Sequence, residues 1–566
     1  MCGIWASFHA PGAAAAFPIL SEIFSEPLQS RGPDKTLVVE HPQCWLAFFR
    51  LAFHDLSPRG DQPMVFFEGV YTYYLLANGE IYNYRELVQT FSLPMQSKND
   101  CEVIYRLYDY FERDFSRVLQ HLDGEYAIVL VKLRGDTLLD VVAARDPYGV
   151  RPLFYGLDLD QQKVYLSSLA RGIPYQETHP FPPGTWMHVD AQFHTEWYAY
   201  HDYPDDFFRT ADTSRLCSLL IQAVDKRRTG ERPMACLLSG GLDSSLVCAI
   251  MVKILGVQDL HTFSIGMEGS TDLVYAAEVA RFLGTHHNVV HFTAQEGVDA
   301  VDHVIEACET WDITTIRASV GQYLLAKHIS ETTDFKAILN GDGADEVAMG
   351  YLYWYQAPTR LDAHLESVHR LQEIHLYDGL RVDRCLGRFG LEARVPYLDR
   401  AWVDFMLRTP IASRMPSTQR MEKHLIREAF ATHYPGLLPD SVLWRKKEAF
   451  SDGVSSPQQS WFRILQTEME KRVGDKDMET NPLGFPEVPP TKEAWYYQKK
   501  FKEIFGHKPL IPAYWLPRWS GEIREPSARV LSVYSSSSST TPSSSLPVSV
   551  SPEIQHGESS SDPSKT

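Results

Sequence analysis

Leu237-Leu238-Ser239-Gly240-Gly241-Leu242-Asp243-Ser244-Ser245 is the stretch on which the fold of the second half turns. An apolar strand runs into a Gly-rich loop, and the loop opens a helix. Backbone N–H groups of such a loop converge on one point, and the helix N-terminus adds positive partial charge, so an anion binds there. The glycines permit close approach, and the serine hydroxyls add donors. No lysine follows in the G-x-x-x-x-G-K-[ST] spacing, so this is not a Walker loop. Asp243 would repel phosphate unless a divalent cation lies between them, which makes it an expected Mg²⁺ ligand.

Outward from that loop, strand and helix signals alternate. Met234–Leu238, Thr262–Ile265, Asn288–Phe292 and Lys336–Leu339 read as strands; Ser245–Leu255 and Leu273–Leu283 read as helices. Such alternation predicts a doubly wound parallel α/β sheet, whose ligand sits where the loops at the carboxyl ends of the strands meet. A second loop, Asn340-Gly341-Asp342-Gly343-Ala344-Asp345-Glu346, follows the last of these strands. It would bring Asp345 to the metal of Asp243, with Asp342 at the same crevice. Leu443–Gly453 sets Lys447 among aromatics, a cation suited to charge on a transferring phosphoryl group. From Leu361 to Trp519 the pattern is mainly helical, with loops at Gly387–Asp399 and Arg445–Gly453.

The first 205 residues read differently. Trp45–Phe53, Tyr71–Leu76, Tyr126–Val131 and Leu138–Ala143 are strand-like, with turns at Asn78-Gly79 and Asp146–Gly149 and one helix at Asp100–Phe111. Layered sheets with few helices are expected. Tyr198–Asp212 reads as a linker. Cys2 becomes a residue with both a thiol and an α-amine once Met1 is removed, and an amine of pKa about 7.7–8.0 can act as the thiol's general base.

Composition narrows the function. Among 566 residues, 72 Asp+Glu outweigh 54 Lys+Arg, giving a net charge of −18 that disfavours nucleic acid and anionic membranes as partners. No apolar run is long enough to span a bilayer, and the Ala13–Phe17 run lacks a preceding basic segment, so no secretory signal is read. The eight cysteines include no CxxC pair and point to neither zinc nor a disulfide framework, which makes the cytosol the expected compartment. From 531 to 566, 15 of 36 residues are Ser, and this tail is expected to be disordered.

Two resemblances follow from these motifs. The Ser239–Ser245 and Asn340–Glu346 loops resemble those of pyrophosphate-loop ATP pyrophosphatases. Cys2-Gly3-Ile4-Trp5, Arg31-Gly32-Pro33-Asp34, Arg50-Leu51-Ala52, Asn78-Gly79-Glu80 and Asn99-Asp100-Cys101-Glu102, in that order, resemble a class II glutamine amidotransferase domain. With Thr310–Ser319, Gly390–Asp399, Met421–Leu425, Asp452–Val454 and Glu525–Arg529, the chain as a whole resembles the glutamine-hydrolysing asparagine synthetases.

That resemblance implies a four-layer α+β N-terminal-nucleophile domain over 2–205 and a synthetase domain over 213–530. It implies Cys2 as nucleophile, Asn78 and Gly79 as oxyanion donors, and a glutamine pocket of Arg50, Leu51, Ala52, Phe53, His54, Glu80 and Asp100. Leu237, Ser239, Gly240, Gly241, Ser244, Ser245, Ile265, Asn340 and Gly341 would bind ATP, with Mg²⁺ on Asp243 and Asp345. Asp342 and Lys447 would be catalytic, and Thr315, Arg317 and Glu392 would line the aspartate site or its ammonia channel. ATP and Mg²⁺ enter as substrate, with no bound prosthetic group implied. Small molecules are the implied partners, and a homodimer is left open.

The chain departs from the family's pattern in places. Ser30 replaces a usual His, and His54 takes an apolar position. Leu169 and Arg171 stand for Glu and Lys, Asn340 for Ser, Asp342 for Glu, and Ala348-Met349 for Phe-Gly. The changes at 169–171 bear on how the two halves meet. Two alternatives remain: a β-lactam synthetase-like ring-closing ligase with an idle glutaminase half, and a non-catalytic regulatory homologue. The intact motifs count against both.

Overall fold

A computed structural model describes residues 1–11, 26–158, 160–456, 458–484 and 489–519. The Ala13–Phe17 run, the Glu525–Arg529 motif and the Ser-rich tail lie outside the described residues.

The second half is built on five parallel strands, in the order His286–His291, His261–Gly266, Met234–Leu237, Ala337–Leu339, Glu392–Arg394. Chain order reverses between Met234–Leu237 and Ala337–Leu339, so the loops leaving those two strands part and open a crevice at their carboxyl ends. Both loops singled out in the sequence leave from this point. The helix after the first is Leu242–Ala249, extended by a π-helical turn at Ile250–Ile254.

Sequence patterning missed three features here. Glu392–Arg394 is the fifth strand, not part of a loop, because its charged side chains are paired inside the protein and give no apolar signal. Ile313–Thr332 is a twenty-residue helix buried on most sides, so it shows no single apolar stripe. Phe450–Gly453 forms a short helix within the expected Arg445–Gly453 loop.

The first half stacks two six-stranded antiparallel sheets. One contains Gly3–His9 and Cys44–Arg50; the other contains Tyr71–Ile81 and Gly124–Arg134. Ile4, Ala6, Leu46 and Phe48 from one interleave with Leu76, Val129, Val141 and Val189 from the other. Among the described residues four helices, not one, accompany the sheets: Glu26–Arg31, Tyr84–Phe91, Glu102–Tyr110 and Phe115–His121. The last three cover the outer face of the second sheet, through Val103, Ile104, Val118 and Leu119.

The outer face of the first sheet presents Trp5, Ala47, Phe49 and Tyr165, which join one continuous apolar core with the second half. The described residues of both halves accordingly belong to one compact unit. The segment expected as a linker is docked: Tyr200 Oη donates to the Arg145 carbonyl at 2.7 Å, and Phe208 N donates to that of Arg408 at 2.7 Å. The unusual 169–171 segment makes its own bridge, with Ala170 N and Arg171 N donating to Glu309 at 3.1 and 2.9 Å. Arg171 also pairs with Glu306.

Candidate active sites

The crevice of the parallel sheet holds a cavity of about 230 Å³. Leu237, Ser239, Gly241, Asp243, Ser244, Ile265, Asn340, Gly341, Asp342, Asp345 and Lys447 all line it. Gly240 and Ser245 do not. Gly240 lies at φ 73°, and a Cβ there would stand 2.4 Å from the Ala276 nitrogen, so the turn requires glycine. Ser245 is buried behind the loop with its hydroxyl unpartnered. Ser239 Oγ accepts from Gly241 N at 3.3 Å, and Ser244 Oγ accepts from Ser239 N at 3.2 Å, which closes the loop on itself.

Four charged groups meet where the two loops face each other. Lys423 Nζ pairs with Asp243 and lies 2.6 Å from Asp345 Oδ1; Lys447 Nζ lies 2.6 Å from Asp345 Oδ2. Burial pushes the Asp345 carboxyl up, but the two ammonium groups outweigh it and hold it well below the ordinary range. Burial lowers Lys447, while Asp345 and Asp243 lift it above the ordinary lysine value. Asp243 Oδ1 is buried without a hydrogen-bond partner, as an oxygen kept for a cation would be. The donor set thus fits a divalent ion carried in with a nucleotide.

Lys423 is the group sequence reading passed over. It sits in the Met421–Leu425 motif without an assigned role, in the left-handed region at φ 57°, which turns its side chain into the cavity. Its signal was that motif's persistence in the resemblance, not any local chemistry.

Asp342 is ion-paired to Arg381, with Nη2 at 2.5 Å from Oδ1. Arg381 also binds Asp378 at 2.9 Å and Gln322 at 2.7 Å. Burial raises the Asp342 carboxyl, and Arg381 opposes it. Two of the residues expected at the aspartate site or its channel, Thr315 and Arg317, do not line this cavity. On the helix Ile313–Thr332 it is Thr314, Ala318, Gln322 and Leu325 that line the cavity, one face at helical spacing. Thr315 N donates to the N-cap carboxylate of Asp312 at 2.7 Å, and Arg317 is paired with Glu493 at 2.5 Å.

A second cavity, about 20 Å³, lies in the first half. Cys2, Arg50, Leu51, Phe53, His54, Gly79, Glu80, Asp100 and Glu392 line it. Glu392 therefore belongs to this site and not to the large cavity. Cys2 Sγ accepts from Leu51 N at 3.3 Å, and the Cys2 carbonyl accepts from Arg31 Nε at 3.1 Å. With Met1 in place, burial pushes the thiol up to about 11 and the Met1 amine down to about 5. The Cys2 nitrogen is then an amide, with no base to offer.

Gly79 packs so closely on the neighbouring strand that a Cβ would lie 2.0 Å from the Glu125 carbonyl oxygen. Asn78 does not itself line the cavity; it is buried beside Gly79 with Nδ2 unpartnered. Arg50 is held by Asp61 at 2.6 Å and by the Ser57 carbonyl at 3.1 Å. Ala52 does not line the cavity; its N–H donates to Asp34 at 2.8 Å.

The helix Asp378–Gly387 spans from one site to the other. Asp378 and Arg381 reach the large cavity, while Asp383 binds Arg31 at 2.8 Å, the same Arg31 that holds the Cys2 carbonyl.

The sequence model of the asparagine synthase family matches residues 215–369 and 359–522, and that of a glutamine amidotransferase domain matches 1–181. The chain belongs to the asparagine synthase family. It is 38% identical to the asparagine synthetase [glutamine-hydrolyzing] of Cricetulus griseus over 572 residues, 95% of this chain and 99% of that protein. To the probable asparagine synthetase [glutamine-hydrolyzing] of Acanthamoeba polyphaga mimivirus it is 37% identical, covering 89% of this chain and 95% of the other. The amidotransferase model covers the half that contributes most of the small cavity, and the asparagine synthase model covers the half that holds the large one. Among the described residues no helix is long and apolar enough to cross a membrane.

Proposed function

We propose that the chain makes L-asparagine from L-aspartate and ATP, taking nitrogen from L-glutamine and releasing glutamate, AMP and pyrophosphate. The observation that carries this reading is the pairing, in one compact unit, of a small pocket around an N-terminal Cys2 with a phosphate-loop cavity rich in acids and lysines.

Residues 2–205 act as the glutaminase. Once Met1 is removed, the Cys2 amine takes the thiol proton, and the thiolate attacks the glutamine amide carbon. Asn78 Nδ2 and Gly79 N–H donate to the oxyanion that forms, and ammonia leaves as the thioester is made. Arg50 binds the substrate carboxylate, exchanging part of its contact with Asp61, and Asp100 meets the α-ammonium group. Water then releases glutamate.

Residues 213–530 act as the synthetase. The Ser239–Ser245 loop cradles the pyrophosphate of MgATP, whose ion rests on Asp243 and Asp345. Lys447 and Lys423 neutralise charge as the aspartate β-carboxylate attacks the α-phosphorus and pyrophosphate leaves. Ammonia then attacks the β-aspartyl-AMP and expels AMP, with Asp342 placed to accept a proton. Ammonia is a nucleophile only while unprotonated, so passage between the sites through the dry shared core keeps it reactive.

The test supplies aspartate, MgATP and either glutamine or ammonium to the purified chain. Asparagine, AMP and pyrophosphate in equal amounts are expected; stoichiometric ADP would refute the phosphate-loop assignment.

A further inference from the structure

Glu80 and Asp100 lie close together in the Cys2 pocket. One oxygen of each and a ring nitrogen of His54 fall within 4.8 Å of one another, and all three side chains are buried. Two carboxylates that close, away from water, do not both stay ionised unless a cation neutralises one of them. Two cations are present, and both stand at the same oxygen. His54 Nε2 is 2.8 Å from Glu80 Oε2, and Arg394 Nη2, from the last strand of the parallel sheet, is 3.2 Å from it. Among the described residues no cation stands at ion-pair distance from Asp100, whose Oδ2 accepts from Ile81 N at 2.6 Å.

We propose that His54 and Arg394 are a pair of positioning residues, one from each half, that neutralise Glu80 and so leave Asp100 as the carboxylate that meets a substrate ammonium group. His54 takes a position that is apolar in the resembling family, so this cation is an addition of this chain. The proposal rests on the glutamine reading of the pocket.

The electrostatics agree with the geometry. Burial works against a charged His54, but Glu80 and Asp100 outweigh it and raise the imidazolium to about 10. Glu80, pushed up by burial, is brought down to about 2 by His54 and Arg394. Asp100 is raised to about 7 by burial and then by Glu80, with His54 opposing. The other groups facing this cluster are Glu392 beside Arg394, the Cys101 thiol next to Asp100, Arg151 behind Glu80, and the Tyr84 ring at 5.8 Å from His54. The Cys101 thiol donates weakly to Asp100 Oδ2 at 3.9 Å, and none of these groups is a cation at ion-pair distance from Asp100.

Glutamine hydrolysis measured from pH 6 to 9 in the wild type, His54→Gln and His54→Leu tests the pair. Without the imidazolium, Glu80 repels an ionised Asp100 more strongly, so the acid limb of kcat/KM moves up by about one pH unit. At pH 6.5 kcat/KM falls about tenfold, with the loss in KM, and at pH 9 it stays within about threefold. Ammonium-dependent synthesis in each variant reports that the chain is folded. If neither variant folds, histidine-selective NMR of the wild type decides: His54 stays protonated through pH 8. An unchanged acid limb in a folded variant, or His54 titrating near 6.5, would overturn the proposal. Asp100→Asn separates the two layers. If glutamine KM is unaltered in it, the glutamine reading of Asp100 fails; if KM rises while the His54 variants keep the wild-type limb, only the His54–Arg394 pair fails.

Discussion

The two cavities solve the problem of charge in opposite ways. Around Cys2 the space is about 20 Å³, and nearly every charged group already has a fixed partner: Arg50 with Asp61, Glu80 with His54 and Arg394, Arg31 with Asp383. The larger cavity of about 230 Å³ gathers Asp243, Asp345, Lys423 and Lys447 in one unsettled cluster, with a carboxylate oxygen left without a hydrogen bond. A small neutral amide needs a pre-formed slot with one activated atom. A polyphosphate needs movable charge, and its metal must displace lysines from the aspartates. The difference teaches where each half is vulnerable: the first to loss of one atom, the second to loss of charge.

Removing that one atom should have the largest effect. Cys2→Ala is expected to lower glutamine-dependent asparagine formation by about a thousandfold or more, with ammonium-dependent formation within about twofold of wild type. An uncleaved N-terminal extension should behave alike, since the Cys2 nitrogen then stays an amide. Equal loss of both activities in a folded variant would erase the contrast between the cavities.

Lys447→Met and Lys423→Met each remove a charge from the large cavity. Ammonium-dependent synthesis should fall about 10²–10³-fold in each, followed by pyrophosphate release, while glutamine hydrolysis without ATP is unchanged. If Lys423→Met keeps full synthesis, its place between Asp243 and Asp345 is a feature of the ligand-free cavity alone.

Asp342→Asn sharpens the comparison further. The change is nearly isosteric and weakens the pair with Arg381, so synthesis should drop at least about tenfold through lost proton transfer. Synthesis within twofold of wild type would make Asp342 a turn residue.

The smallest effect concerns stability, in which the two halves should behave alike. His201 lies at the end of the first half and His364 in the second; burial holds each at about 4, below its ordinary value. Between pH 6.5 and 4 the unfolded chain binds protons that the folded chain does not, so stability present above 6.5 is lost as pH falls. At pH 5 each costs on the order of 2 kcal/mol. Scanning calorimetry at pH 7 and 5 should show one transition moving down; two separating transitions would show that the shared core does not bind the halves together.

Much of the second half was legible because its motifs are local. The Ser239–Ser245 loop needs only its glycines, its serines and an apolar strand before it, and all of these are contiguous. The residues that escaped the sequence are those whose role depends on a distant partner. Glu392–Arg394 is a strand because Glu80, over 300 positions away, and Arg227's carbonyl accept Arg394. Arg317 seemed a substrate residue from its motif, yet Glu493 takes its guanidinium. The expectation of one helix in the first half failed because Tyr84–Phe91 and Phe115–His121 are too short for a clear period.

By itself, the sequence determined the parallel sheet, the phosphate loop, the N-terminal thiol and the order of the motifs, since each is written in neighbouring residues and in backbone geometry that glycine and apolar spacing impose. Only the tertiary structure decided that the halves share one core, that Lys423 enters the large cavity, that Thr315 and Arg317 turn away from it, and that His54 and Arg394 meet at Glu80. Those outcomes depend on burial, where charges far apart in the chain must find each other because water no longer solvates them.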